Sequence, residues 1–390
     1  MNDLRIAVIG YGMRASLSKL AHKPGEGSRV SVIVEPTDRG QDDAREFYGD
    51  DVTYLRSTDE LVGRDDIDAA MIFTPDNVHF ENAMFTLEQG WPTFCEKPMG
   101  ITIDQCDQML TLARDKRTRL YVGHNMRHMP VVTQMKRLID DGAIGNVKAI
   151  WTRHFVGAGG DFYFKDWHAD RANVTSLLLQ KGAHDIDVMH YLAGGYTRAV
   201  SGVGDLMIYG NITSRRDNTD KRMWDWYDAD VFPPTTQTDL NPVVDVEDIS
   251  MLHMRLDNGV LASYEQCHFT PDYWRNYTII GDAGRLENMG DNGGEQIHIW
   301  NSRRSGAMRP DLVEVISRGE GTHAGADPNL VAEFLRFAAS GGATEVSVVA
   351  AREAVATGCT GAESIRTGGA MLPVPALPDD LRAYFDGGQA

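Results

Sequence analysis

Residues 4–15 read LRIAVIGYGMRA, an apolar run that leads into two closely spaced glycines. Leu4–Gly10 is rich in β-branched residues and predicts a first strand. Gly10, Gly12 and Ala15 follow with the G-x-G-x-x-A spacing of a dinucleotide-binding turn. In such a turn the first glycine permits the bend, the second admits a pyrophosphate, and a small third residue lets the next helix pack on the strand. Amides at the start of that helix are donors for phosphate oxygens.

Similar apolar runs alternate with helix-like stretches through roughly the first 125 residues, the length of one ordinary domain. Strands are predicted at Val30–Val34, Ala69–Phe73, Pro92–Cys95 and Arg119–Val122. Helices are predicted at Asn82–Gln89 and Asp104–Arg114, with Thr102 or Asp104 as the N-cap of the second. Strands separated by helices predict a parallel sheet with helices on its faces, and such sheets bind ligands at the carboxyl ends of their strands.

An acidic residue, Glu35, ends the second predicted strand about 20 residues after the glycine turn. A carboxylate there accepts hydrogen bonds from the adenosine ribose and repels a 2′-phosphate, which favours NAD over NADP. NADP remains an alternative cofactor because of Arg39, since an arginine near this loop binds the extra phosphate.

After Val122 the pattern changes to a region rich in β-strands. Helices are predicted at Pro130–Asp141, Ser176–Leu192 and Asn329–Ala338, and strands at Val147–Phe155, Ala199–Ile208, Val246–Leu256, Val260–Phe269, Tyr277–Ile280 and Gln296–Trp300. Several of these strands alternate apolar and polar residues, as an antiparallel sheet with one wet face does. Asn211–Leu240 is polar and contains prolines, so it is predicted to be a long loop or a lid.

Composition and charge exclude several classes of protein. Apolar residues make up 42% and charged residues 24%, which are ordinary globular values. The net charge of −18 disfavours binding to nucleic acid or to an anionic membrane. The sequence has no apolar run of about 18 residues, and its N-terminus does not resemble a signal peptide. The four cysteines, Cys95, Cys106, Cys267 and Cys359, form no C-x-x-C pair, so we expect a reducing, cytoplasmic location.

Two further strand ends carry unusual chemistry. Thr74-Pro75-Asp76 and His79 close the third predicted strand, and Glu96-Lys97-Pro98 closes the fourth. A lysine facing a cofactor crevice acts as a general acid or base if desolvation lowers its pKa. An ordinary proline turn and a solvated loop lysine are the competing interpretations.

The predicted helix at 176–192 carries a polar line. Gln180, His184, Asp187 and Tyr191 share one helical face through i+4, i+3 and i+4 steps. Such a row suits a helix that lines a polar pocket, and His184 titrates near neutral pH. A structural histidine beside surface acids remains the alternative.

The loop at 161–171 combines aromatic and charged residues. Trp167 offers an aromatic face for a sugar ring, and Lys165, His168 and Arg171 suit an anionic sugar. The alternative is a surface loop anchored by a buried tryptophan.

Taken in order, these motifs resemble the glucose–fructose oxidoreductase/inositol dehydrogenase (Gfo/Idh/MocA) family. The resemblance also includes Gly123-His124-Asn125-Met126-Arg127, Val246-Glu247-Asp248, Ile280–Arg285 and His323-Ala324-Gly325-Ala326-Asp327. It implies a Rossmann domain over residues 1–127 and an α+β domain over 128–390, with the late helix near 329–338 packing back towards the first. The second domain is expected to hold a large open, mainly antiparallel sheet, whose exposed face makes a homodimer or homotetramer.

The resemblance also implies residue roles. Lys97 and His184 are expected to flank the reacting oxygen as catalytic residues, and the Lys97–Pro98 bond to be cis. The residues expected to bind NAD are Gly10, Gly12, Met13, Arg14, Glu35, Thr74, Pro75, Asp76, His79, Glu96, Lys97 and Asn125. Those expected to bind the substrate are Arg127, Lys165, Trp167, His168, Arg171, Gln180 and Asp187. Many relatives have an aspartate where this chain has Gln180, so the carboxylate comes from Asp185 or Asp187, or His184 works with Lys97 alone.

Three functions follow from these expectations. The first is NAD-dependent hydride transfer to or from a secondary hydroxyl of a sugar, glycoside or cyclitol. The second is an NAD-dependent glycoside hydrolase, which oxidises the sugar, eliminates the leaving group, adds water and reduces the product again. An acidic or sulfonated glycoside is a candidate substrate for it. The third is an NAD-sensing regulator, against which the retained Lys97 and His184 argue. No metal is expected, because His124 and His128 lack the helix glutamate of a metalloprotease, and no G-x-S-x-G elbow occurs.

Overall fold

A computed structural model describes residues 3–303, 306, 309–319 and 322–389, with the side chains of residues 322 and 323 outside that description. The chain divides into two compact units. The first comprises Met1–Asn125, Ala326–Arg352 and Leu377–Ala390, and the second comprises Met126–Gly325 and Glu353–Ala376. His323, part of the family resemblance, therefore has no described side chain.

The first unit is built on a six-stranded parallel sheet. Its strands are β1 Leu4–Ile9, β2 Ser28–Val34, β3 Thr53–Leu55, β4 Ala69–Ile72, β5 Thr93–Cys95 and β6 Leu120–Val122, in the order β3-β2-β1-β4-β5-β6. Its first helices are α1 Ser16–Ala21, α2 Asp38–Tyr48, α3 His79–Glu88 and α4 Ile103–Lys116. Thr102 caps α4 by accepting from the amide of Gln105. The parallel α/β fold predicted here is confirmed. No strand was predicted at β3, which has only three residues, and no helix was predicted at α2.

The second unit is built on a nine-stranded sheet. Its helices are α5 Pro130–Asp140, α6 Gly159–Phe162, α7 Arg171–Val174, α8 Leu177–Gln180 and α9 Gly182–Ala193. Its strands are β7 Val147–Phe155, β8 Thr197–Asp205, β9 Ile249–Leu256, β10 Leu261–Cys267, β11 Trp274–Gly281, β12 Arg285–Met289, β13 Gln296–Trp300 and β14 Leu312–Val315. The β7–β10 pair is parallel and the other pairs are antiparallel. The predicted large, mainly antiparallel sheet is confirmed.

The last elements of the chain are α10 Ala326–Ser340, α11 Val348–Arg366, β15 Leu372–Pro373 and α12 Asp379–Asp386. β15 completes the second sheet beside β8. The late helix α10 lies in the first unit, where Phe334 contacts Phe94 at 5.4 Å between ring centroids. α11 was not predicted, because it is buried on nearly all sides and so lacks an amphipathic period. No helix in the described part of the chain is long and apolar enough to cross a membrane.

Two predicted segments of the second unit differ in detail. The helix predicted at 176–192 is two helices, because α8 ends at Gln180 and α9 begins at Gly182. Gly182 lies against Tyr264, where a Cβ atom would approach the ring to 3.0 Å. The long segment 211–240 contains only short 3-10 turns, yet Trp226 and Leu240 join a buried cluster in this unit.

Candidate active site

The glycine turn after β1 has two kinds of glycine. Gly10 has φ +82°, and a Cβ atom there would lie 2.8 Å from Thr74 Cγ2. Gly12 has no such constraint, since the nearest atom to its Cβ position is the Phe73 carbonyl oxygen at 3.7 Å. Packing within the chain therefore explains why residue 10 is a glycine, but it does not explain why residue 12 is one. A ligand that approaches the backbone at Gly12 explains it, which is the role predicted for a pyrophosphate.

Glu35 holds a fixed carboxylate beside this turn. Its Oε2 accepts from the Tyr11 amide at 2.8 Å, and its Oε1 accepts from the Thr37 amide at 2.9 Å. Gly40 makes room for it, because a Cβ atom there would lie 2.5 Å from Glu35 Cδ. Glu35 is buried, whereas Arg39 is exposed in the first turn of α2. The residues present fit an adenosine ribose that donates to Glu35.

The turns that follow β4 and β5 are linked by His79. Its Nδ1 lies 2.7 Å from the Pro98 carbonyl oxygen and its Nε2 lies 2.9 Å from that of Thr74. Burial lowers the pKa of this imidazole although both carbonyls favour its protonation. His79 thus fastens the Thr-Pro-Asp turn to the Glu-Lys-Pro turn.

Asp76 lies buried in the first of these turns. Burial raises the pKa of Asp76 to about 8, and the ammonium of Lys97 opposes that shift. No described residue donates a hydrogen bond to its Oδ2. An acid in this state holds a proton near neutral pH, close to the lysine predicted to act in catalysis.

Lys97 follows β5 and is half-buried, and its bond to Pro98 is cis as the resemblance implies. Its amide donates to Glu96 Oε2 at 2.9 Å, while Glu96 Oε1 accepts from Arg14 Nε at 2.8 Å. Arg14 also pairs with Asp327 on α10. Arg14, which the resemblance implies as a cofactor-binding residue, is linked through Glu96 to the backbone amide of Lys97.

In the second unit, His184 lies buried on α9, and two acids, Asp185 and Asp187, follow it in the same helix. Asp187, three residues on, forms a bidentate pair with Arg127, with Nε and Nη2 each 2.8 Å from a carboxylate oxygen. Both residues were predicted to bind the substrate, and the structure brings them to each other. Gln180 is buried at the end of the preceding helix, so it does not continue the α9 face.

Asp185 sits at the centre of a buried network that sequence reasoning missed. Its carboxylate accepts from Tyr277 OH at 2.6 Å, Tyr264 OH at 3.0 Å and His154 Nδ1 at 2.9 Å, and Arg275 Nε lies 2.9 Å away. Burial disfavours the charge, yet Arg275 and His154 hold the pKa of Asp185 well below its usual range. The inward positions of β7 and β11 carry His154 and Arg275, and strand alternation is the signal that places them there.

The loop residues predicted to meet the substrate separate into two groups. Lys165 Nζ lies 3.3 Å from Asp161 Oδ1, and the rings of Trp167 and His168 stack at 3.8 Å between centroids. Arg171 instead donates from its amide to Asp245 Oδ1 at 2.7 Å and lies at the surface. Lys165 and His168 are thus buried beside the half-buried Trp167, whereas the backbone amide of the exposed Arg171 bonds to Asp245.

Two family profiles match this chain. Residues 4–124 match the oxidoreductase family with an NAD-binding Rossmann fold, and residues 132–287 match the GFO/IDH/MocA C-terminal domain. A 2,7-anhydro-N-acetylneuraminate hydratase from Mediterraneibacter gnavus is 28% identical over 213 residues, 52% of this chain and 53% of the hydratase. A levoglucosan dehydrogenase from Pseudarthrobacter phenanthrenivorans is 28% identical over 219 residues, 50% of this chain and 53% of that enzyme. The chain spans about half the length of these curated relatives.

Among solved structures, a levoglucosan dehydrogenase in complex with NADH and levoglucosan superposes with a TM-score of 0.76. The match covers 96% of this chain and 100% of that one, at 20% sequence identity, which shows a shared fold. With the two profiles, the parallel sheet and the glycine turn, the chain belongs to the GFO/IDH/MocA family of oxidoreductases, and its first unit carries that family's NAD-binding Rossmann fold.

Proposed function

We propose that this protein is an NAD-dependent dehydrogenase acting on a secondary hydroxyl of a sugar, glycoside or cyclitol. The observation that carries the proposal is the carboxyl edge of the first sheet, where a fixed Glu35 carboxylate, an unobstructed Gly12 and Lys97 follow three parallel strands. Family membership and the similarity to levoglucosan dehydrogenase support it.

The residues at this edge suit NAD. The turn at Gly10–Gly12 admits the pyrophosphate, Glu35 accepts from the ribose hydroxyls, and Asn125 after β6 is a polar group for the nicotinamide end. When bound, NAD supplies the acceptor or donor of the hydride. The negative charge of Glu35 disfavours the 2′-phosphate of NADP.

Lys97 and His184 are the proposed acid–base residues. The Lys97 ammonium stabilises negative charge on the substrate oxygen, and the His184 imidazole takes or returns the hydroxyl proton. Asp185 has four partners and Asp187 forms a bidentate pair, so neither carboxylate is available to complete an aspartate relay. We therefore favour the arrangement in which His184 works with Lys97 alone.

The cluster of Lys165, Trp167 and His168 is the proposed sugar contact. The stacked Trp167 and His168 rings offer an aromatic plane, and Lys165 adds positive charge next to Asp161. Burial raises the pKa of the neighbouring Asp166 to about 6. These groups suit a polyhydroxylated ring, with the cation favouring an acidic one.

A redox-neutral reaction is the second candidate. The similarity to a 2,7-anhydro-N-acetylneuraminate hydratase favours it, because that relative's name describes a hydration. In this reaction the substrate is oxidised, loses a leaving group, gains water and is reduced again, so NAD is recycled.

One experiment separates the two. A panel of sugars and nitrophenyl glycosides is incubated with the protein and NAD, while NADH absorbance and nitrophenol release are followed in parallel. NADH formation without release supports the dehydrogenase, and release with catalytic NAD and no net NADH supports the glycosidase. If neither signal appears on any substrate, or if the signal seen with the wild type persists in Lys97→Met, the proposed site is wrong.

We also propose that a second copy of the chain covers the outer face of the nine-stranded sheet. This face exposes large apolar side chains, including Trp151 on β7 (53% exposed) and Leu261 on β10 (50%), in adjacent strands. Exposed apolar area of this kind on a flat sheet suits a symmetric contact with the same face of another chain.

A further inference from the structure

Asp327, at the start of α10, joins two loops at the ligand edge of the first sheet. Its Oδ1 accepts from Asn125 Nδ2 at 2.7 Å and from Arg14 Nη2 at 3.2 Å, and its Oδ2 accepts from Arg14 Nη1 at 3.1 Å. Arg14 follows the glycine turn and Asn125 follows β6. The loops that follow β1 and β6 are thus bonded to one buried carboxylate.

This contact fixes which way the amide of Asn125 faces. An ionised carboxylate only accepts hydrogen bonds, so the NH2 group of Asn125 must be the side that meets Asp327. The carbonyl Oδ1 is then held away from Asp327 as an acceptor. Asn125 is fully buried, and no described residue donates to its Oδ1. A buried acceptor without a donor in the chain is a place for a donor from a bound molecule.

We infer that Asn125 Oδ1 accepts a hydrogen bond from the carboxamide N–H of the nicotinamide, and that Asp327 is the positioning residue that holds it in that orientation. The inference rests on the proposed function. Ligands bind outside the carboxyl ends of parallel strands, where Asn125 lies, and the carboxamide carries the N–H donors of the nicotinamide ring. Arg14 supplies the positive charge that lets the Asp327 carboxylate stay ionised in a buried place.

Cofactor analogues test this without relying on turnover. In 3-acetylpyridine adenine dinucleotide an acetyl group replaces the carboxamide, so the carbonyl stays and the N–H donors are lost. ADP-ribose lacks the nicotinamide ring entirely. Calorimetry on the full chain measures the dissociation constant of NAD, of the acetylpyridine analogue and of ADP-ribose. We expect the wild type to bind NAD about tenfold more tightly than the acetylpyridine analogue, the scale of one buried hydrogen bond.

Three variants locate the contact. Asn125→Leu removes the acceptor, so this variant should bind NAD and the acetylpyridine analogue about equally tightly. Asp327→Asn keeps the shape of the side chain but allows the amide of Asn125 to rotate by about 180°. This variant should bind NAD only about threefold more tightly than the acetylpyridine analogue. The matched control is Glu333→Gln on the same helix, where the side chain accepts from Tyr121 OH at 2.7 Å. That variant should keep the wild-type preference, and all three should bind ADP-ribose within about twofold of the wild type.

Each other outcome overturns the inference in its own way. Equal binding of NAD and the acetylpyridine analogue by the wild type would show that no such hydrogen bond exists. An undiminished preference in Asn125→Leu would place the acceptor elsewhere. Loss of ADP-ribose binding in Asp327→Asn would show that Asp327 acts through Arg14 on the glycine turn. Failure of the wild type to bind NAD at all would instead refute the proposed function.

Discussion

Arg127 and Asp187 form a buried bidentate ion pair inside the second unit, with both nitrogen–oxygen distances at 2.8 Å. The guanidinium of Arg127 also lies 4.8 Å from the centroid of the Tyr191 ring. His184 and Asp187 are three residues apart on α9, so the pair anchors the same face of the helix that carries the proposed catalytic imidazole.

Breaking this pair should destabilise the protein. Arg127→Ala removes the guanidinium from the buried Asp187 carboxylate, so we expect the free energy of unfolding to fall by about 3–5 kcal/mol. The double variant Arg127→Met/Asp187→Leu removes both charges and should recover most of the loss. Urea titration followed by fluorescence measures these differences. Equal stability of Arg127→Ala and the wild type would show that the pair contributes nothing.

The proposed acid–base residues should be essential for turnover. We expect Lys97→Ala and His184→Ala each to lower kcat by at least about 100-fold, the usual scale for a lost acid–base group. Lys116→Ala is the matched control, because Lys116 is exposed and pairs only with the surface residue Glu88 among the described contacts. Steady-state rates at saturating NAD give the comparison, and wild-type rates in both site variants would refute the assignment.

Glu35 should set the preference between the two cofactors. NAD is expected to bind at least about tenfold more tightly than NADP, which corresponds to about 1.4 kcal/mol. Glu35→Gln keeps the acceptor toward the Tyr11 amide and removes the charge, so the preference should shrink. Calorimetry with both dinucleotides tests this. Equal dissociation constants in the wild type would point to Arg39 as a binder of the 2′-phosphate.

The buried acid Asp76 should make stability depend on pH. Burial raises its pKa from an ordinary 3.8 to about 8, so between these values the folded protein keeps a proton that the unfolded chain releases. Stability therefore falls as the pH rises through this window, and Asp76→Asn removes that contribution. Chemical denaturation should show the wild type losing stability relative to the variant from about pH 4 to about pH 8.

Asp166 provides the control for this measurement. Burial raises its pKa only to about 6, so the difference between the wild type and Asp166→Asn should level off near that pH. Burial lowers the pKa values of His154 and His268 to about 3, so both residues reduce the stability of the protein at acidic pH. This loss of stability is the same in the wild type and in each variant, so it cancels in both comparisons. A difference for Asp76→Asn that does not change with pH would contradict the buried, protonated state.

A charge on the outer face of the large sheet should disrupt assembly. Trp151→Glu places a carboxylate in the proposed contact and should shift the protein to a smaller species in light scattering coupled to size exclusion. Val62→Glu, at an exposed position of the first unit, is the matched control and should leave the mass unchanged. The same mass for the wild type and Trp151→Glu would remove this face from consideration.

Much of the Rossmann sheet was predictable, because β1, β2, β4, β5 and β6 are mostly apolar and are followed by turn residues. The glycine turn after β1 and the place of Glu35 directly after β2 were also predictable, since both follow from local spacing. The cis bond at Lys97–Pro98 followed only from the resemblance.

Contacts between residues far apart in the sequence were not predictable. The sequence around Asp185 suggests an acid at the surface, yet Asp185 is buried. Its ion-pair partner Arg275 lies 90 positions later in the sequence. Arg14 lies in the glycine turn, and its ion-pair partners Glu96 and Asp327 come from two other parts of the chain. Local patterns carry no information on such partners, because the fold and not the spacing brings them together.

The position of α10 also bears on how this protein is made. Phe334 and Phe337 belong to the core of the first unit, although about 200 residues of the second unit are translated before them. At 5–20 residues per second, a ribosome needs about 10–40 s to cover that distance. The core of the first unit is therefore completed only after residues 126–325 have been translated, and the apolar surface that α10 covers stays exposed until then.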